Sequence, residues 1–291
     1  MNKVTVLGSG VLGAQIALVT SVRGFEVAAW DINDEACASA AKRFDTFGAQ
    51  MVRELDDVSA DDLAAGRARL TQTTDIEAAA ANADLIIEAV PENLEIKRDV
   101  WSKAGAAAGE HTILATNTST LLPSEFADAT GHPERFLALH FANHIWLNNT
   151  AEIMPHAGTD PKYVDILERF ATDIKMLPVK LQKEQPGYVL NTLLVPFLNA
   201  AQYLLANGVA SPEDVDKNWR NSTGAPMGPF EIMDMVGLRT VHAVGSLKPN
   251  PSASESAFHK ILEEMIAEGR IGKESGQGFF AYDEEGNRVS R

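Results

Sequence analysis

Apolar positions along the first part of the chain follow two alternating periods. Short runs rich in Val, Ile, Leu and Ala at residues 4–7, 26–30, 70–73, 83–90, 112–116, 136–140, 151–154 and 176–181 read as strands. Between them, residues 14–23, 34–54, 61–69, 75–83 and 94–108 carry apolar side chains at helical spacing, with Ser59 or Asp61 placed to cap the third of these helices. The stretches 34–54 and 61–69 follow the second strand directly and read as a helical hairpin inserted into the alternation. Strands alternating with helices predict α/β architecture with a mostly parallel, doubly wound sheet.

The pattern changes near Glu184-Gln185-Pro186-Gly187, which places a boundary between residues 1–184 and 185–291. Beyond Tyr188 no strand pattern is convincing, so an all-helical C-terminal domain is expected. Helices are predicted over 189–207, after Ser211-Pro212 (a cap followed by proline at the first turn), around 229–235 and over 255–268. The stretch 189–205 is apolar on more than one face, as in a helix that packs its own domain and also a partner subunit. A homodimer is therefore expected. Ser290 and Arg291 are expected to fray.

The first strand runs into Gly8-x-Gly10-x-x-Gly13, with Val11 and Leu12 opening the helix that follows, and the second strand stops at Asp31. In a dinucleotide site Gly8 permits the tight turn, Gly10 lets the backbone approach a pyrophosphate, and Gly13 brings helix close to strand. The phosphates rest on the N–H groups of the new helix. Asp31 accepts ribose hydroxyls and repels a 2′-phosphate, which selects NAD over NADP. The N-terminal domain is thus expected to be a Rossmann domain. A plain glycine turn between strand and helix is the simpler alternative, but strand, glycines, helix, second strand and acid all fall in register.

Composition narrows the partners. The net charge is −15 over 291 residues, which disfavours nucleic acid and supplies no basic patch for a membrane. No unbroken apolar run reaches the ~18 residues of a bilayer span, and Met1-Asn2-Lys3 leads into the glycine loop without a signal-peptide pattern. The single cysteine, Cys37, excludes an internal disulfide, reads as buried filler and suits a reducing cytoplasm. No metal-ligand set is expected.

In open α/β sheets substrates lie beyond the carboxyl ends of the strands. Polar residues gather there: Glu92 and Asn93, Asn117 through Thr120, and His140 with Asn143. Glu152 follows across a hairpin-like return and can pair with His140, fixing the tautomer and helping the imidazole take a proton from an alcohol. A structural histidine and a solvated acid are the plainer readings of the two. His111, His132 and His156 stand in loop contexts and are expected only to meet solvent.

The chain resembles the L-3-hydroxyacyl-CoA dehydrogenase family from end to end. The matching segments are the stretch from Gly8 to Asp31; Glu92-Asn93-Leu94 with Lys97; Thr116-Asn117-Thr118-Ser119-Thr120-Leu121; Pro133-Glu134-Arg135-Phe136 with His140-Phe141; and Glu152-Ile153. They continue with Pro186-Gly187-Tyr188-Val189-Leu190-Asn191, Pro226-Met227-Gly228-Pro229-Phe230-Glu231, and Gly272-Lys273 with Ser275-Gly276 and Gly278-Phe279. The resemblance implies NAD-dependent oxidation of a 3-hydroxyacyl-CoA, such as 3-hydroxybutyryl-CoA, within fatty acid metabolism. It makes His140 the general base, Glu152 its orienting partner, and Ser119 and Asn191 the hydrogen-bonding groups around the substrate oxygens. It places Glu92, Lys97, Asn117, Ser119 and Asn143 on the cofactor side.

Three departures separate the chain from the family pattern. After His140-Phe141 the family reads Phe-Asn-Pro-Val-Pro, whereas this chain reads Ala142-Asn143-His144-Ile145-Trp146-Leu147-Asn148-Asn149. Phe47 and Glu54 stand where the family's hairpin carries a Ser and a Lys that hold CoA, leaving Lys42, Arg43 and Arg53 as the hairpin's cations. Glu274, beside Lys273, stands where the family places a basic residue. A second reading therefore keeps the chemistry and changes the substrate to a small non-CoA 3-hydroxy acid, such as a sugar acid or a carnitine-like compound. A third is a non-catalytic NAD-binding homologue, against which His140, Glu152, Ser119 and Asn191 speak.

Overall fold

A computed structural model describes residues 1–246, 249–283 and 285–289, so the expected fraying at Ser290 and Arg291 lies outside the described residues. The chain divides into two compact units, Met1–Val189 and Leu190–Arg291.

The first unit is built on an eight-stranded sheet. Its strands are β1 (Lys3–Leu7), β2 (Glu26–Trp30), β3 (Leu70–Thr73), β4 (Leu85–Glu88), β5 (Ile113–Thr116), β6 (Phe136–Phe141), β7 (Thr150–Pro155) and β8 (Leu177–Lys180), in the order β3-β2-β1-β4-β5-β6-β7-β8. All pairs are parallel except β6 with β7. Strand order reverses at β1, whose two neighbours are β2 and β4, and an open α/β sheet forms its ligand crevice at such a switch. The central strands are apolar on both faces because helices cover both; every residue of β4, β5 and β6 is buried.

The helices of this unit are α1 (Val11–Val22), α2 (Asp34–Glu54), α3 (Ala60–Arg69), α4 (Ile76–Ala81), α5 (Leu94–Ala107) and α6 (Lys162–Asp173). α2 and α3 form the expected hairpin, and Ser59 closes a capping box with Asp62 at the start of α3. Ser59, not Asp61, is the cap. Helix α6 is absent from the sequence reading, although its stripe of Tyr163, Ile166, Leu167, Phe170 and Ala171 recurs at helical spacing and packs on the core. Two other expectations change. His156 is half-buried, with Nε2 2.9 Å from the Pro133 carbonyl and its ring beside Phe136, because the chain turns back over the start of β6. Cys37 is only partly buried.

The second unit is mostly helical: α7 (Tyr188–Ala206, whose first residues belong to the first unit), α8 (Pro212–Thr223), α9 (Pro229–Val236), α10 (Leu238–Ser246) and α11 (Ala253–Ala267). It is not purely helical, because isolated β-bridges join Gly272 to Gln277, Gln277 to Ala281 and Tyr282 to Arg288. The buried Asp234 carboxylate holds this segment, accepting from the Phe279 and Phe280 N–H groups and the Tyr282 hydroxyl. Backbone groups that need a buried acceptor leave no apolar period to read. α7 also corrects the expectation on length. Its 19 residues have a mean hydropathy of 1.4 and, by length and composition alone, could cross a membrane. Asn191, Asn199 and Gln202 interrupt its apolar surface, which is why no unbroken run appears in the sequence.

Candidate active site

The glycine loop connects β1 to α1 at the switch point. Gly8 has φ +92°, and a Cβ there would lie 2.8 Å from the Ala89 carbonyl oxygen. A Cβ on Gly13 would sit 1.9 Å from the Gly8 carbonyl oxygen, so both glycines answer to the protein itself. Gly10 is different. Its backbone is ordinary (φ −61°), and a Cβ there would touch nothing within 4 Å. Neither backbone strain nor packing requires glycine at Gly10; the space above it suits a ligand that approaches the main chain closely.

That space belongs to a cavity of about 740 Å³ lined by Gly8, Gly10, Asp31 and apolar side chains including Trp30, Ile32, Ile76, Val90 and Ile96. Asp31 follows β2 directly, its carboxylate accepting from the Ser9 N–H at 2.9 Å and the Ile32 N–H at 2.8 Å. The residues present fit a dinucleotide: N–H groups at a helix start, an apolar slot for a flat ring, and an acid for ribose hydroxyls. The apolar walls from β2, α4 and α5 were missed by motif reading because they come from separate segments without a shared pattern. When bound, the nicotinamide ring accepts or donates the hydride; the protein positions it and manages the proton.

Across the sheet, the antiparallel register of β6 and β7 sets His140 directly opposite Glu152. Both are buried, and His140 Nδ1 lies 3.1 Å from Glu152 Oε2. With Nδ1–H donating to the carboxylate, Nε2 carries the lone pair and can take an alcohol proton. The second oxygen of Glu152 accepts from the Val189 N–H at 2.9 Å. Tyr188 lies under the pair. Its ring stacks on His140 with centroids 4.3 Å apart and planes 14° off parallel, and its hydroxyl donates to the Thr118 carbonyl at 2.7 Å. Burial, followed by the nearby carboxylates Glu92, Glu152, Glu88 and Glu184, pushes the Tyr188 hydroxyl well above the ordinary phenol range, so it stays a neutral donor.

The residues expected on the cofactor side are organised by hydrogen bonds within the protein. Lys97 is buried, with its ammonium 2.7 Å from Glu88 and 3.2 Å from Glu92. Glu92 Oε1 accepts from the Thr118 hydroxyl, from the Ser119 N–H at 3.0 Å and from the Thr120 N–H at 2.8 Å. Burial alone would raise the Glu92 carboxyl; the Thr118 hydroxyl, Lys97 and the donors of Thr120 outweigh it and bring it to about 2. Glu88 moves the other way, because its burial prevails over Lys97. Asn117 accepts from the Phe141 N–H at 2.9 Å and so ties the end of β5 to β6. Together these bonds hold the Ser119 backbone beside the His140 strand. Asn191 lies on α7, in the second unit.

The unusual loop after β6 is tied to two helices. Gln15 of α1 donates to Asn143 Oδ1 at 2.7 Å and accepts from the His144 and Ile145 N–H groups. His144 holds φ +63°. Glu54, the last residue of α2, accepts from the Trp146 indole at 2.8 Å and lies 2.7 Å from His144 Nε2, while the Phe47 ring packs 5.8 Å from that of Trp146. Burial acts to raise the Glu54 carboxyl, but the hydrogen bonds from Trp146 and His144 and the charge of His144 keep it below the usual carboxylate range. Phe47, Glu54, His144 and Trp146 therefore form a single cluster. Arg43, on the hairpin, donates to the Ser9 carbonyl at 3.2 Å.

Comparison with known proteins gives the family. Residues 3–185 match the 3-hydroxyacyl-CoA dehydrogenase NAD binding domain, and residues 187–282 match the C-terminal domain of the same family. The chain is 33% identical over 293 residues to the mitochondrial hydroxyacyl-coenzyme A dehydrogenase of Homo sapiens, covering 97% of this chain and 91% of that protein. It is 30% identical over 297 residues to a probable 3-hydroxybutyryl-CoA dehydrogenase of Bacillus subtilis, covering 98% and 99% of the two. Among solved structures, a diketoreductase described as acting on dicarbonyl compounds superposes with a TM-score of 0.93 at 47% identity, covering 97% of this chain and 99% of that one. With the glycine loop, the switch-point cavity and both domains matched, the chain belongs to the 3-hydroxyacyl-CoA dehydrogenase family of NAD-dependent oxidoreductases acting on CH–OH groups.

Proposed function

We propose that the protein interconverts a 3-hydroxyl and a 3-ketone on a small acid or dicarbonyl compound that does not carry coenzyme A. The buried His140–Glu152 pair carries the chemical part of this reading. In the oxidative direction His140 Nε2 takes the hydroxyl proton and Glu152 stabilises the imidazolium that forms, while NAD, when bound, would supply the hydride acceptor. Ser119 holds a substrate oxygen, and Asn143 serves the nicotinamide side. Asp31 takes the ribose hydroxyls. Lys97 and Glu92 act one step back, as the frame that holds the Ser119 loop.

The substrate part rests on the cluster around Glu54. A thioester of coenzyme A brings phosphates, which need donors or positive charge. Here the end of the hairpin offers a carboxylate already committed to Trp146 and His144, with Phe47 packed beside it. The diketoreductase at 47% identity supports the same direction. The 3-hydroxyacyl-CoA reading is favoured by the names of the curated relatives at 30–33% identity. A panel of free 3-hydroxy acids, diketones and matched CoA thioesters, followed by NADH absorbance, separates the two. A free compound turned over with the higher kcat/KM supports the proposal, and a thioester with much the higher value restores the coenzyme A reading.

A further inference from the structure

We infer that Tyr188 is a positioning residue for the reaction, setting the plane of the His140 imidazole and coupling it to the loop that carries Ser119. The inference rests on the dehydrogenase reading of His140 and Glu152.

Three contacts converge on two adjacent residues. The Tyr188 ring lies nearly parallel to His140, with centroids 4.3 Å apart. Its hydroxyl reaches the Thr118 carbonyl, next to Ser119 in the chain. The following N–H, that of Val189, donates to the Glu152 oxygen not used by His140. A side chain wedged in this way fixes the imidazole by one face and the carboxylate by one oxygen. The hydrogen bond to Glu152 alone leaves the ring free to tilt about Nδ1; the stack removes that freedom.

Backbone conformation supports a dedicated placement. Tyr188 holds φ +54°, a region that bulky side chains rarely adopt, immediately after Gly187 at φ +79°. Simple packing of an aromatic ring against Ala138, Met154 and Leu181 does not demand that conformation. The left-handed turn is what brings the ring under His140 while the next N–H points at Glu152. Its counterforce comes from the Tyr188 N–H donating to the Gln185 carbonyl at 3.0 Å and from the buried hydroxyl bond. Tyr188 also provides a π face to the imidazolium that forms when His140 takes the proton, an attractive arrangement for a cation.

Tyr188→Phe keeps the ring and removes the hydroxyl; Tyr188→Leu removes the π face. Turnover of the best hydroxy substrate is measured across pH for both, with NAD affinity from NADH fluorescence titration as a control. Tyr188→Leu is expected to lower kcat roughly tenfold or more, since small misplacements of a reacting group are costly. It should also move the acidic limb of the kcat/KM profile to lower pH, because the imidazolium loses a stabilising neighbour, with NAD affinity changed less than about twofold. Tyr188→Phe should restore most of kcat and the wild-type limb, and raise KM about two- to fivefold as the Thr118–Ser119 segment loosens. If Tyr188→Leu does not fold, Tyr188→Met, which fills the volume without a π face, takes its place with the same expectations. Wild-type kcat and pH profile in the variant lacking the ring overturn the inference, as do equal kcat losses in that variant and Tyr188→Phe. If His140→Gln also retains turnover, the dehydrogenase assignment itself falls; if His140→Gln is inactive while the Tyr188 variants are unaffected, only the role of Tyr188 falls.

Discussion

Glu54 accepts the Trp146 indole N–H at 2.8 Å, joining the end of the helical hairpin to the loop that follows the His140 strand. The two residues come from segments where this chain departs from the family pattern, and the structure makes both departures parts of one contact. An acid that anchors an indole and an imidazole cannot also serve a phosphate. A free 3-hydroxy acid or diketone is expected to be used at least about tenfold better in kcat/KM than its CoA thioester. Lys42→Ala and Arg53→Ala, which remove exposed cations of the hairpin, should then change kcat/KM less than about twofold. A raised thioester KM in either variant, with kcat spared, would show that these cations hold phosphate.

His140→Gln should lower kcat by ~10²–10⁴, the usual worth of a general base, and leave NAD affinity nearly unchanged. Glu152→Gln should cost less, because the amide still accepts one bond while the stabilising charge is lost. Near wild-type turnover by His140→Gln, measured on the best substrate, would show the pair to be structural.

Asp31 predicts cofactor choice. Its carboxylate stands at the cavity wall beside the glycine loop, where a 2′-phosphate would meet like charge. The wild-type protein should prefer NAD over NADP strongly, and Asp31→Ser should narrow the ratio of kcat/KM values by about tenfold or more. An unchanged ratio would place the ribose elsewhere.

Glu92 gives a stability prediction whose sign follows from its lowered carboxyl. Its folded-state value is about 2 against an ordinary 4.5, so the carboxylate stabilises the fold above the ordinary value. That contribution is lost as pH falls from about 4.5 through 2. The side chain is 35% exposed, so screening cuts the effect, and about 1–2 kcal/mol is expected for Glu92→Gln at neutral pH. Chemical denaturation of both proteins at pH 7 and pH 3 checks this: the gap should shrink at the lower pH. A gap that persists at pH 3 would trace the loss to packing.

A homodimer through α7 is the expected assembly. Leu193 on that helix is 68% exposed and Tyr203 is 56% exposed, a large apolar display for a lone chain. Light scattering at micromolar concentration should give twice the chain mass, and Leu193→Glu should shift it toward the monomer. A wild-type monomer would leave α7 to another use.

Much of the fold is legible in the sequence because its signals are local. A strand, three glycines, a helix and a terminal acid lie in one continuous stretch, and their order and spacing can be read without knowing that Gly8 abuts the distant Ala89 carbonyl. The His140–Glu152 pair was legible as well, since a hairpin return between two strands puts their facing residues within reach and the register places these two opposite each other. Helix α6 carries a local signal too, apolar residues at 163, 166, 167, 170 and 171, whereas the apolar walls of the cofactor cavity, which come from β2, α4 and α5, carry none. The left-handed Tyr188, the Glu54–Trp146 contact and the commitment of Lys97 to Glu88 and Glu92 appear only in three dimensions. The Glu54–Trp146 contact depends on where distant segments meet, and in all three a side chain's residue type does not say which neighbour will desolvate it or claim its hydrogen bond. The sequence by itself determined the sheet, the dinucleotide loop and the juxtaposition of His140 with Glu152. Tertiary structure decided which polar groups remain available to a ligand and which the protein keeps for itself.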